Sequence, residues 1–407
     1  MRKMIWLACL SYLVIGMAHV VSGAILEPLM AHYGLNYRDG GQFIMNQFLG
    51  FLGGVLISPW VTRYIGKRNA LLLALGSLTA AEAAYSLLLP WEWMLAIAPI
   101  AGFGFGMTEA VIGAMVIEYA EEKKASAMSR IEVFFGLGAL IMPIVGALLI
   151  RNDIWQMAFP VITAMAGLTT LLWLTLSFGK VDDLIAYQPR TAQVSQPVRA
   201  RYNLAAMPFL ILGITFFLFY VGMEMSFSNY LPSIMIQRVG MDEATAATTI
   251  SLFWGMVVIG RIFAGRVAER TGYGRFLLGC VVAGMVLLIL ISFTSHAGWS
   301  LFFIGLSGLS FAGVFAIALV YVNQLLPGMT ERTTSLLVAF GGMGGALFPR
   351  LTGWLMDEYD ASWTLGMIAG MSILMVVLVL AMMVIGKQLS HSQSGMQLQS
   401  KGPEVIE

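Results

Sequence analysis

Four titratable residues stand inside long apolar runs: His19, Glu109, Glu132 and Glu224. A carboxylate in such a run costs several kcal/mol unless it is paired, hydrated or protonated. The chemistry such groups can do is reversible proton binding or recognition of a polar ligand. Glu109, in GMTEAVIG (106–113), is placed best, near the middle of its run. Gly102, Gly106 and Gly113 share one helical stripe with it at 100° per residue. That stripe faces another helix or a cavity, not lipid. Packing through small residues explains the glycines but not the carboxylate.

Glu132 follows Arg130 at the start of its helix, where a helix N-terminus also favours an acid for electrostatic reasons alone. Glu224 has Tyr220 and Phe217 at i−4 and i−7 and Ser228 at i+4, on one face. A ring beside a carboxylate suits a polyhydroxyl ligand; aromatic packing around a paired acid is the alternative. His19 lies mid-run, as a ligand or proton group or as a satisfied polar residue. Asn46, Gln47, Asn229, Trp254 and Asn323 complete the polar set of a substrate site. Glu27 and Glu82 fall in the outer parts of their helices, where exposure to an outer vestibule is expected. Arg261 is expected to snorkel to the surface, and Arg350 to pair with Asp357 or Glu358. No nucleophile–base–acid set and no metal-ligand cluster stands out, so neither an enzyme nor a cofactor is expected.

The elements that position these residues are membrane spans. Of 407 residues, 58% are hydrophobic and 11% charged, with mean hydropathy +0.82; a soluble protein would be about one quarter charged. Twelve transmembrane helices are expected at 5–31, 41–62, 70–90, 93–119, 129–150, 154–178, 205–231, 243–265, 275–295, 298–326, 334–356 and 362–386, each about long enough to cross a bilayer. The first run continues past its small residues, unlike a signal peptide. Cys9 and Cys280 both fall in apolar segments, which argues against a disulfide framework. Net charge of +1 offers nothing to nucleic acid.

Orientation follows from the basic residues. With the N-terminus inside, eighteen of the 23 Lys and Arg face the cytoplasm, three face outward (Arg38, Arg151, Arg238), and Arg261 and Arg350 lie in spans. Both termini are therefore expected in the cytoplasm of a bacterial cell. The longest loop divides the chain into an N-terminal bundle of six helices (1–178), a central loop (179–204), a C-terminal bundle (205–387) and a disordered tail (388–407).

The halves repeat at one offset of 206 residues. Gly16 maps to Gly222, Gly54 to Gly260, Gly66 to Gly272, Gly102 to Gly308, and Gly136, Gly138 and Pro143 to Gly342, Gly344 and Pro349. Glu109 maps to Phe315, His19 to Met225 and Glu224 to Ala18, so these polar groups are not part of the shared scaffold. Parallel six-helix repeats, with a substrate site between them, are the build of the major facilitator superfamily. GRVAERTGYGR (265–275) resembles that superfamily's loop motif, in which Gly265, Glu269, Arg270 and Gly272 would form a conformational latch. The first-half copy, PWVTRYIGKR (59–68), departs from it at Pro59 and Arg63.

GMTEAVIGAMVIEYAEEKKASAMSRIEVFFGLGALIMP (106–143), GMEMSFSNYLPSIMI (222–236), SLFWGMVVIGRIFAG (251–265), GLSFAGVFAIAL (308–319), GMAHVVSG (16–23) and QFLGFLGG (47–54) resemble the superfamily branch that holds the glucose/mannose:proton symporter and fucose permease. The resemblance implies a monomer in the bilayer that takes up a hexose together with protons. In fucose permease an acid on the first helix and a glutamate on the fourth serve the cycle. Glu109 matches the glutamate; His19 is the polar group nearest the acid's place. The expected proton-coupling set is Glu109, Glu132 and His19. An exporter of drugs or metabolites is the alternative: Gly138, Pro143 and Gly146 fit half of an exporter motif, while Met142 and Ala147 replace its other glycines. A receptor would need a signalling insertion that the short loops do not offer.

Overall fold

The structure, a computed structural model, describes residues 2–119, 124–179, 204–326 and 329–400. Among the described residues the secondary structure is helical throughout. In chain order the helices are α1 (Arg2–Ala24), α2 (Leu26–Tyr33), α3 (Tyr37–Tyr85), α4 (Trp91–Tyr119), α5 (Lys124–Arg151), α6 (Ala158–Thr175), α7 (Met207–Val239), α8 (Glu243–Thr271), α9 (Tyr273–Phe293), α10 (Ala297–Phe311), α11 (Val314–Leu325), α12 (Thr330–Glu358) and α13 (Ala361–Ser400).

These thirteen helices make twelve spans. The first span breaks at Ile25 into α1 and α2. Pro28 cannot donate to the Ala24 carbonyl, so α1 cannot run on. The tenth breaks between α10 and α11. Spans two and three are joined in α3, a 49-residue helix that turns at Gly66 (φ 81°). The last helix continues past Lys387 to Ser400, where the sequence suggests a disordered tail; residues 401–407 and most of the central loop (180–203) lie outside the described residues.

The offset of 206 is written into the backbone. Gly66 and Gly272 (φ 81° and 88°) both turn the chain at positive φ, and so do Gly34 and Gly240 (φ 64° and 70°). A Cβ is strained there, which is why glycine recurs. Asn36 caps α3 by accepting from the Asp39 N–H, and Asp242 caps α8 by accepting from the Thr245 N–H. Close approaches repeat as well. A Cβ on Gly54 would lie 2.5 Å from the Phe103 carbonyl oxygen, and one on Gly260 3.1 Å from that of Leu309. Gly102 presses on the Gln47 carbonyl as Gly308 presses on that of Phe253. The chain is thus a multi-pass membrane protein of two pseudo-symmetric six-helix bundles.

The halves meet along three seams: α3 against α12, α5 against α8, and α1 against α7. Gly66 and Gly272 lie on the face that carries the chain ends, termed the terminal face. Gly34 and Gly240 lie on the opposite, loop face.

Candidate functional site

At the centre of the interface His19 points from α1 into a ring of aromatic side chains. Its ring centroid lies 5.3 Å from Phe48, 5.8 Å from Phe105, 5.5 Å from Phe135 and 6.3 Å from Trp254, all edge-on. Its Nε2 lies 2.9 Å from Met225 Sδ of α7. A thioether carries no proton, so a hydrogen bond here has Nε2–H as donor. Trp254 is held by its own donor, Nε1 to Ser228 Oγ at 2.9 Å. One imidazole and four rings from both halves can stack on the apolar faces of a small ligand, with few polar atoms to orient it.

A charged layer lies beside this cage toward the terminal face. Arg261 of α8 reaches across the seam to Glu132 of α5, Nη1 to Oε2 at 3.2 Å. The guanidinium also acts electrostatically on Glu109 of α4 and Glu224 of α7. Glu224 is buried and accepts from Tyr220 Oη at 2.8 Å. Glu109 is half-buried, one helical turn beyond the caging Phe105, and its backbone carbonyl accepts from Tyr12 Oη at 3.1 Å. Among the described residues only Glu132 bonds the guanidinium; Glu109 and Glu224 feel its charge without contacting it. Arg261 is therefore no snorkelling surface residue: it pairs across the seam with Glu132, on a helix distant in the chain.

The other expected site residues divide. Asn229 backs onto its own helix, Nδ2 to the Met225 carbonyl at 2.9 Å, and packs tightly against Gly23 of α1. Asn46 donates to the Leu95 carbonyl of α4, and Gln47 accepts from Ser22 Oγ at 2.9 Å. Both bonds stay inside the N-terminal half. Asn323 bonds Thr334 Oγ1 and the Leu319 carbonyl within the C-terminal half. Gly265, Glu269, Arg270 and Gly272 lie on the terminal face, and among the described residues neither Glu269 nor Arg270 makes an ion pair. In the first-half copy Lys67 pairs with Glu118, and Arg68 holds the C-terminus of α6 through the Trp173, Leu174 and Leu176 carbonyls. Contacts are thus present in the copy with the degraded motif.

On the loop face a second set of bonds crosses the seam, beyond anything the residue spacing indicated. Asp357 of α12 accepts from the Tyr37 and Arg38 backbone N–H groups at 2.9 and 2.7 Å, placing a carboxylate at the positive end of α3. Arg350 does not pair with Asp357 or Glu358. It donates instead to the Arg38 carbonyl and to Gln42 Oε1. Tyr230 Oη donates to the Tyr37 carbonyl at 2.9 Å. Glu27, expected to be open to the vestibule, is half-buried and accepts from Tyr37 Oη at 3.0 Å. Glu82 is 1% exposed rather than vestibular. The halves are tied on both sides of His19.

The Major Facilitator Superfamily model matches residues 8–336. The glucose/mannose transporter GlcP of Bacillus subtilis (strain 168) is 30% identical, over 90% of this chain and 91% of that protein. The sodium-dependent glucose transporter 1A of Mus musculus is 23% identical, over 86% and 88%. A crystal structure of a D-xylose-proton symporter superposes with TM-score 0.76 at 14% identity, over 92% of this chain and 96% of that one. That likeness is one of fold.

Proposed function

The chain belongs to the major facilitator superfamily of membrane transporters, and from that premise we propose that it carries a hexose, such as glucose or mannose, into a bacterial cell together with protons. The observation that carries this reading is the charged layer beside the aromatic cage of His19: the Arg261–Glu132 pair across the seam, with Glu109 and Glu224 within reach of its charge. Three carboxylates and one cation leave the set short of positive charge, and a proton on Glu109 makes up part of the difference. The sugar lies against His19 and Trp254, whose ring edges and faces cover its C–H surfaces. With Glu109 protonated and sugar seated, the halves rock about the seam and open on the other side. A bare carboxylate opposes that motion, because it must cross a closed, water-poor core.

In this reading the terminal face is cytoplasmic, as its excess of Lys and Arg supports, and the transporter works as a monomer. The test is uptake in proteoliposomes with an imposed pH gradient. Wild type accumulates labelled glucose or mannose when the outside is acidic. Glu109→Gln loses accumulation and keeps exchange of internal for external sugar. Accumulation by the variant against a gradient would end the role of Glu109. Accumulation that needs Na⁺ and ignores the pH gradient would put sodium in place of the proton, and export under the same gradient would replace the importer.

A further inference from the structure

Outside the central site, the terminal face carries a groove of about 520 Å³ between the end of α8 and the start of α9, lined by Val267, Arg270, Arg275, Phe276, Gly279 and Cys280. We propose that this groove binds an anionic phospholipid, its phosphate held by Arg270 and Arg275 and an acyl chain running along the apolar track below.

Both arginines are exposed, and among the described residues neither has an acidic partner. A guanidinium offers two parallel N–H donors that match phosphate oxygens, and a second one a short distance away doubles the charge. The floor of the groove is open because residue 279 is glycine: a Cβ there would have no neighbour within 4 Å. Below the arginines the surface turns apolar at helical spacing. On α8 Val267, Phe263 and Ile259 stand 44, 54 and 47% exposed, each one turn deeper than the last. On α9 Val282 and Val286 continue the line from Gly279. From Val267 to Ile259 the track descends about 12 Å at the α-helical rise, enough to guide the upper part of an acyl chain. Charge at the rim and hydrocarbon-facing side chains below match one molecule with an anionic head and an apolar tail. The face itself favours this occupant, since basic residues at a bilayer surface attract anionic headgroups. A soluble phosphate would use the arginines and leave the track idle.

The experiment is native mass spectrometry of the full-length protein after exchange into mixed micelles of phosphatidylglycerol and phosphatidylcholine. Wild type should retain phosphatidylglycerol at least about tenfold over phosphatidylcholine. Arg275→Gln should lose that preference by removing charge. Gly279→Phe should lose it with every charge in place, by filling the floor. Thermal melting confirms that each variant is folded. Equal retention of both lipids by wild type would overturn the proposal, a comparison that needs no variant. So would displacement of the lipid by millimolar inorganic phosphate, or folded variants that keep the wild-type preference. The readout is bound lipid, so a failure of the sugar reading leaves this test unaffected.

Discussion

His19 and Met225 touch, Nε2 to Sδ at 2.9 Å, and stand 206 residues apart in the chain. That separation is the offset relating the two halves. Under an approximate two-fold relation, a position and its equivalent can meet only on the axis. The His19–Met225 contact therefore marks where the axis crosses the interface, and the aromatic cage is built around it from both halves. A ligand seated there is contacted from both sides at once, which is what coupling of binding to a change of access requires. His19→Ala should weaken hexose binding at least about tenfold while melting within a few degrees of wild type, since a bond to a thioether is weak. Equilibrium binding of labelled sugar measures it; an affinity within twofold of wild type would remove His19 from the site.

The Arg261–Glu132 pair predicts a separation of stability from transport. The side chains are 23% and 42% exposed, so the pair contributes only about 0–1 kcal/mol to folding. Arg261→Gln should thus melt close to wild type. It removes a cation whose charge acts on Glu109 and Glu224, and uptake should fall more than about tenfold. The double variant Glu132→Arg, Arg261→Glu restores the bond with its charges reversed and keeps the set's charge total. Recovery of uptake above either single variant would show that the bond itself matters. No recovery would mean that Arg261 serves Glu109 and Glu224 instead.

Much of this was legible in the residue order, and the limits are physical. The span count and the offset of 206 could be read because apolarity and glycine report burial and close approach directly. The offset would also have paired Gly34 with Gly240 and Asn36 with Asp242, had helix ends been compared as well as helix interiors. Which buried face a polar residue occupies could not be read. Asn46 and Gln47 look as suitable for substrate as His19 does, yet the bonds they make stay within one half. Helical periodicity separates lipid from protein, not one protein neighbour from another. Arg261 and Asp357 find partners on helices more than a hundred residues away, set by how the halves dock.

The clasp on the loop face predicts a conformational shift. Asp357 accepts two backbone N–H groups at the start of α3, an arrangement that exists only while the halves are together there. Asp357→Ala removes both acceptors and the charge at the positive end of α3. Spin labels at Arg38 and Glu358, attached in wild-type and variant backgrounds, should report a longer and broader distance in the variant. Loss of a charge-assisted bond costs about 1.5–3 kcal/mol, a shift of roughly tenfold or more in the population open on that face. An unchanged distance distribution would show that Arg350 and Tyr230 hold the clasp alone.

Close packing predicts matched damage in the two halves. A Cβ on Gly102 would sit 1.8 Å from the Gln47 carbonyl oxygen, and one on Gly308 2.3 Å from that of Phe253. Both obstacles are backbone, which cannot swing aside. Gly102→Val and Gly308→Val should each cost about 1–3 kcal/mol or more by forcing helices apart, seen as lower yield and lower melting temperature in detergent. Gly76→Val, where a Cβ would meet nothing within 4 Å, is the control and should behave as wild type.

The paired caps predict different pH dependences for their two cap residues. Asp242 accepts from the Thr245 backbone N–H at 2.9 Å. Bonds from the Thr245 hydroxyl and then its backbone N–H hold the carboxyl below its ordinary value of 3.8. A group depressed on folding stabilises fully above its unfolded value and loses that contribution as pH falls through the folded one. Asp242→Ala should therefore cost about 1 kcal/mol at neutral pH, and the gap in melting temperature to wild type should close progressively below pH of about 4. Asn36 occupies the equivalent place at the start of α3 and accepts from the Asp39 N–H at 3.0 Å. Its amide does not titrate, so Asn36→Ala should carry a cost that stays flat over the same range. Melting both variants in detergent from pH 7 to pH 3 makes the comparison. If the Asp242→Ala gap persists undiminished at pH 3, the carboxylate is not what caps α8.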